Sequence, residues 1–421
     1  MSLRQPVERV RQIYNEYPRP FWTLILGTFI DRLGGALMFP FLTLYITRKF
    51  NVGMTEVGAI FGLFSIASVV GSALGGALAD QLGRKGMLIF GLIVSALTSL
   101  LMGLVNSIEL LFASALIVGL FANSGGPAQQ AMVADLLPGE KRAQGFGLLR
   151  VVVNISFTLG PVIGGLLAAR SYLLLFICDA VASTVTAGIV ALAIPETKPA
   201  RCEGEAEQTM RQTFGGYWHV LRDTSFVMFI GASTLMTLVY MQMNTTLAVY
   251  LRDVHNVSEQ GYGYILSLNA AMVVIFQFSV TRWIARYRPL AIMAVGALFY
   301  AVGFGMYGFV SHYGLFLLAM VVITVGEMMT APTAQALVAH FAPRHMRGRY
   351  MAVYGLSWVI PSTVGPLLAG LVMDGADPRW VWYGAGLVGL AAAGGFLLLC
   401  RRVGRSSAEE ERKKASASAP V

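Results

Sequence analysis

The chain has 421 residues, of which 56% are hydrophobic and only 13% charged, and it carries a formal net charge of +9. So few charges cannot cover a soluble surface, where about a quarter of the residues are normally charged; lipid accepts apolar side chains if each segment satisfies its own backbone groups. Cys178, Cys202 and Cys400 are far apart and the five histidines keep no metal-ligand spacing, which argues against a disulfide framework or a zinc site. No G-x-x-x-x-G-K-[ST] run occurs, so nothing points to ATP.

In chain order, residues 1–20 are polar and basic, and the apolar run that follows is too long for a cleavable signal. A spanning helix takes roughly 20 apolar residues. Twelve such runs are predicted near 21–46, 55–79, 86–105, 109–135, 144–169 and 172–194, then 224–250, 259–281, 289–310, 313–340, 349–373 and 379–400. The polar stretch 195–223 reads as a linker between the halves 21–194 and 224–402. The low-complexity tail 403–421 is expected to be disordered.

The basic residues are sorted by side. The termini and even-numbered connections hold 24 of the 31 lysines and arginines, and the odd-numbered connections only five. The positive-inside rule places both termini in the cytoplasm. The basic excess is therefore a topology signal, and nucleic-acid binding is not needed to explain it.

An internal repeat divides the chain. A gap-free shift of 205 residues sets Pro127–Gly165 on Pro332–Gly370 with 12 of 39 positions identical, among them Pro, Arg and the Gly-Pro pairs 160/161 and 365/366. The same shift pairs Tyr45 with Tyr250. A six-plus-six duplication predicts two related bundles with alternating access to a midplane site.

Three motifs carry a family resemblance. Gly76-Ala-Leu-Ala-Asp80-Gln-Leu-Gly83-Arg84-Lys85 resembles the loop signature of the major facilitator superfamily, with Gln81 in place of the usual Arg. Leu159-Gly160-Pro161-Val-Ile-Gly164-Gly165 resembles the antiporter motif of its twelve-helix drug:proton antiporters, and Asp31–Pro40 is similar to their first-helix motif. The resemblance implies an all-α membrane protein with the major facilitator fold, two pseudo-symmetric six-helix bundles in a bacterial inner membrane. Two departures stand out: Thr281–Arg288 keeps only the basic charge of the repeated loop, and Ala115–Gln130 lacks the buried helix-four Arg that many members use for proton coupling.

Candidate functional residues follow. In the loop signature, Asp80 is expected to meet Arg84 and the start of the next helix, Gly83 to allow a tight turn, and Asp135 to accept the loop cations. With Gly76 and Lys85 they form a conformational latch. Gly160, Pro161, Gly164 and Gly165 permit a bend and close helix approach.

An ionisable group inside a span is costly, roughly 2.5–3.5 kcal/mol for Asp, Arg or Lys on insertion scales. Asp31 lies about 15 Å into the first helix at ~1.5 Å per residue, and Glu327 lies near the middle of the tenth. Glu327 is the leading proton- and cation-binding candidate, and Asp31 with Arg32 the second. Arg150 and Asp179 read as structural. Asn123, Gln130, Tyr240, Gln242 and Asn244 are uncharged hydrogen-bonding groups suited to orienting a substrate. The expected function is proton-driven efflux of amphipathic or cationic compounds by a monomer whose partners are substrate, protons and lipids. No cofactor, metal or enzymatic step is expected. The alternatives are a symporter or facilitator of sugars or metabolites, or an exporter of lipid-like or siderophore-like compounds.

Overall fold

Runs of apolar side chains long enough to span a bilayer, with prolines confined to a few interior sites, leave helix as the form that satisfies every backbone group. The computed structural model describes residues 16–122, 124–197, 220–343 and 346–417, with only the backbone described at 76, 77, 80–82, 122, 143, 347, 348 and 404–417. Gly76 and Asp80 fall in that backbone-only set, and Asn123 lies outside the described residues.

Among the described residues twelve helices are long and apolar enough to cross a membrane. The first six are α1 (Arg19–Phe50), α2 (Met54–Leu82), α3 (Arg84–Leu104), α4 (Ile108–Leu136), α5 (Gly139–Ala168) and α6 (Tyr172–Ala193). The second six are α7 (Thr224–Thr245), α8 (Glu259–Ile284), α9 (Pro289–Phe309), α10 (Tyr313–Phe341), α11 (Arg347–Gly375) and α12 (Arg379–Ala417). The tail expected to be disordered instead prolongs α12 to Ala417. Its run Ala408–Ala415, of Ala, Glu, Arg and Lys, consists of strong helix formers.

The chain divides into two compact units. The first holds residues 1–52, 59–203 and 257–270; the second holds 53–58, 204–256 and 271–421. Within the first, α1 packs on α5 and α6, and α3 on α4 and α6. Within the second, α7 packs on α11 and α12, and α9 on α10 and α12. Each of these four contacts in one unit has its repeat counterpart in the other.

The duplication extends to single atoms. A 3-10 turn at Phe39–Phe41, containing Pro40, breaks α1 before Leu42–Phe50; α7 breaks at Thr246 before Leu247–His255. Both extensions stop on an asparagine in the left-handed region, Asn51 (φ 52) and Asn256 (φ 53), the conformation that ends many helices. The Tyr45 hydroxyl donates to the Met102 carbonyl at 2.6 Å, and the Tyr250 hydroxyl to the Tyr307 carbonyl at 2.8 Å.

Glycines let backbones touch at matched places. A Cβ on Gly263 would come 2.6 Å from the Pro161 carbonyl oxygen, and one on Gly58 would come 2.6 Å from that of Pro366. The start of α8 thus lies on α5 inside the first unit, and the start of α2 on α11 inside the second. Each has its own polar fastening. Glu259 accepts from Arg48 at 3.2 Å and from the Tyr172 hydroxyl at 2.9 Å. Asp374 accepts from the Met54 and Thr55 amides at 3.0 and 2.7 Å and from the Thr55 hydroxyl at 2.6 Å, capping α2.

Candidate functional site

The first unit contains a cavity of about 270 Å³ bordered by Asp31, Arg32 and Asp179, with Thr28, Ser95 and Gln129 among its polar lining. Its geometry follows from how α1 lies against α6. Gly27 meets Thr186, Asp31 meets Ser183, and Gly34 meets Asp179 and Ala182, one contact per turn along antiparallel helices. The Ser183 hydroxyl donates to Asp31 Oδ1 at 3.0 Å, and the Ser99 hydroxyl of α3 donates to Asp179 Oδ2 at 2.7 Å. Asp179 lies against α1 at Gly34, one turn from Asp31, and both acids border the cavity. Asp179, read from sequence as structural, is therefore the neighbour of the candidate Asp31.

Gln129 reaches this cavity and donates to the Thr28 hydroxyl at 2.6 Å, while Gln130 beside it is exposed. Adjacent helical residues point about 100° apart, so a one-residue shift in reading selects a different face. Just before Asn123 the α4 helix widens into a π turn at Val118–Ala122, a local irregularity common at functional sites. Arg150 is exposed on α5.

In the second unit the Tyr240 hydroxyl donates to Glu327 Oε1 at 3.1 Å. The Tyr240 ring stacks on Tyr300 at 5.9 Å and meets Trp358 edge-on at 6.1 Å, so the hydroxyl that holds the half-buried carboxylate belongs to an aromatic cluster. The helix-seven residues grouped in the sequence are separated here. Gln242, two positions from Tyr240, turns to Gly365 of α11, donates to the Leu238 carbonyl and accepts from Thr246. Residues two apart on a helix do not share a face. Asn244 is half-buried.

The loop signature builds a polar cluster in the first unit. Gly83 has φ 108, open to glycine without strain. Arg84 pairs with Asp135, the acceptor expected from sequence. The start of α3 has a partner that sequence reasoning missed: Glu196, just past α6, accepts from the Arg84 amide at 3.0 Å and the Lys85 amide at 3.2 Å. The Lys85 ammonium donates to the Ala191 carbonyl at 2.7 Å. The part expected of Asp80 falls in the backbone-only stretch. In sequence Glu196 is one acid at the edge of a polar linker, and only its position against α3 reveals its role.

In the antiporter motif, Cβ atoms on Gly160 and Gly164 would come 2.5 Å from Ala36 Cβ and 2.4 Å from the Leu37 carbonyl oxygen of α1, and Gly165 faces the Glu259 carbonyl at 3.0 Å. Pro161 lies within α5. The motif thus seats α5 on α1 and on the start of α8. Among the described residues no group of three or more His, Cys, Asp or Glu is placed to hold a metal ion.

The sequence profile of the Major Facilitator Superfamily matches residues 24–358 and 253–421. The chain is 26% identical over 416 residues to a Na(+), Li(+), K(+)/H(+) antiporter of Planococcus maritimus, covering 91% of this chain and 96% of that protein. It is 22% identical over 399 residues to the quinolone resistance protein NorA of Staphylococcus aureus, covering 93% and 99%. Among solved structures, a mutant of the nucleoside transporter NupG superposes with a TM-score of 0.78 at 15% identity, covering 90% of this chain and 100% of that one. Twelve spanning helices, the duplicated packing and the matched profile lead to one conclusion: the chain belongs to the major facilitator superfamily, as a multi-pass membrane transporter of small molecules.

Proposed function

We propose that the protein exports small amphipathic organic cations in exchange for protons, by alternating access across a bacterial inner membrane, with both termini cytoplasmic. The observation that carries this reading is Glu327, an acid inside an apolar helix that takes the Tyr240 hydroxyl beside the Tyr300 and Trp358 rings. An ionised carboxylate flanked by aromatic faces attracts an organic cation. Protonation removes that charge, so proton uptake releases the cation and a single acid suffices for exchange. The driving force is the proton gradient, about 2.3 kcal/mol per charge for each 100 mV, and no cofactor takes part. Arg84 with Asp135, and Glu196 at the start of α3, act as a latch that breaks and re-forms in the cycle. The NorA relative is named a quinolone resistance protein, which fits removal of an organic compound from the cell, and the name of the Planococcus maritimus antiporter supports antiport.

Purified protein in liposomes with ethidium as probe tests the reading. Glu327→Gln is expected to lower pH-gradient-driven ethidium movement more than tenfold while the protein stays folded. Normal movement by the variant overturns the assignment. A second reading, exchange of an alkali cation for protons, is favoured by the two acids of the first unit together with the printed activity of the Planococcus maritimus relative. Sodium and potassium pulses in the same liposomes separate the two readings. A facilitator of sugars or metabolites would show counterflow without a pH gradient.

A further inference from the structure

We propose that Asp179 and Asp31 act as one unit, a carboxyl pair inside the first unit that shares a single proton and forms a proton-carrying site separate from Glu327. Three observations converge. The two acids come from different helices, α6 and α1, and Asp179 packs directly on α1 at Gly34, one turn from Asp31. Each carboxylate receives one serine hydroxyl, Ser183 to Asp31 and Ser99 to Asp179. Both border the same cavity of about 270 Å³, through which water can deliver a proton.

Two carboxylates held this close away from bulk water resist being ionised together, and the pair titrates as a whole rather than as two separate acids. Among the described residues the charged groups facing the pair are few. Arg32 follows Asp31 on α1 and also borders the cavity; the described lining from α2, α3, α4 and α5 is represented by Phe64, Ser95, Gln129 and Phe157, none of them titratable in this range. One cation against two carboxylates leaves a net negative charge, which one proton neutralises. In the step itself a hydronium ion gives its proton to a carboxylate oxygen and departs as water. The negative charge of the pair falls by one, and no other bond is made or broken. The serine hydroxyls hold the two carboxyl groups in place, so Ser99 and Ser183 are positioning residues.

The proposal rests on the reading that this chain binds protons within its membrane part, but its test needs no transport. Infrared difference spectra of the purified full-length protein, recorded across a pH titration, follow the carbonyl stretch of buried protonated carboxyl groups. The wild type is expected to keep such a band at neutral pH. Asp31→Asn and Asp179→Asn are each expected to remove the same step, and the double variant to lose no more than either one. Glu327→Gln leaves that step intact. Ser99→Ala keeps both acids and is expected to move the midpoint by about one pH unit. A double variant that loses twice the amplitude of each single variant shows two independent acids and overturns the proposal, as does an Asp179→Asn spectrum identical to the wild type. Loss of ethidium exchange in Glu327→Gln with the pair's step intact supports both readings. Intact exchange with the pair's step present removes the Glu327 assignment and leaves the pair standing.

Discussion

The first unit sets two carboxylates against serine hydroxyls at the edge of a cavity; the second sets one carboxylate against the hydroxyl of a tyrosine that packs on tyrosine and tryptophan rings. Equivalent frames of packed helices carry both. Shifted by the repeat, the position of Asp31 becomes Met236 and that of Asp179 becomes Gly384, while Glu327 corresponds to Ala122 and Tyr240 to Gly35. The duplicated frame kept its backbone contacts, whereas the ionisable groups took unrelated positions in each copy. A helical frame tolerates this divergence because packing is set by small residues at fixed spacing, and a side chain facing a cavity is not bound by that spacing. Hydroxyl-rich surroundings suit a small hydrated ion or proton, and aromatic surroundings suit a bulky organic cation.

Variants can break or sharpen this contrast. The largest effect is expected when the two sites are exchanged in test. Glu327→Gln should abolish stabilisation of the purified protein by ethidium, whereas Asp31→Asn should leave it within about twofold; a thermal-shift titration separates them. If both lose it equally, the two units do not divide the work.

The shared frame predicts matched damage. Gly58→Ala and Gly263→Ala each drive a Cβ into a carbonyl oxygen 2.6 Å away, a backbone clash of the kind that costs about 1–3 kcal/mol. Both should lower the melting temperature of the detergent-solubilised protein. Asp374→Ala removes acceptors from the Met54 and Thr55 amides and is expected to cost about 0.5–2 kcal/mol, the usual range for a lost cap. Tyr45→Phe and Tyr250→Phe each remove a buried hydrogen bond to a carbonyl, about 1 kcal/mol, and with it the hydroxyl's contact to Lys49 or His255; near-equal losses would support the repeat at atomic level. Gln130→Ala, on an exposed face, should change stability by no more than about 0.5 kcal/mol. Gln129→Ala, which removes the donor to the Thr28 hydroxyl at the cavity, should do more.

Much of this was legible in the residues. Helix number, the repeat, the pairing of Tyr45 with Tyr250 and the acceptor role of Asp135 followed from apolar run length, from coincident Pro and Gly-Pro, and from the loop signature. The site was less legible. Choosing Gln130 over Gln129 required knowing how α4 is rotated, and the π turn at Val118–Ala122 alters that rotation. Tyr240, Gln242 and Asn244 look alike in a row, yet a helix turns about 200° between the first two. Glu196 and Asp374 cap helices to which they are not adjacent in sequence, so nothing local marks them.

Sequence alone determined that the chain spans a membrane in two related sets of six helices, because hydrophobic length and the placement of basic residues are read by the bilayer one segment at a time. Only the tertiary structure decided which polar groups meet. Asp179 reaches the level of Asp31 because α1 and α6 run antiparallel with Gly34 at their crossing, and Glu327 of α10 meets Tyr240 of α7, whose ring packs on Tyr300 of α9 and Trp358 of α11. Those pairings depend on helix rotation and register, which packing across the bundle sets and no single segment encodes.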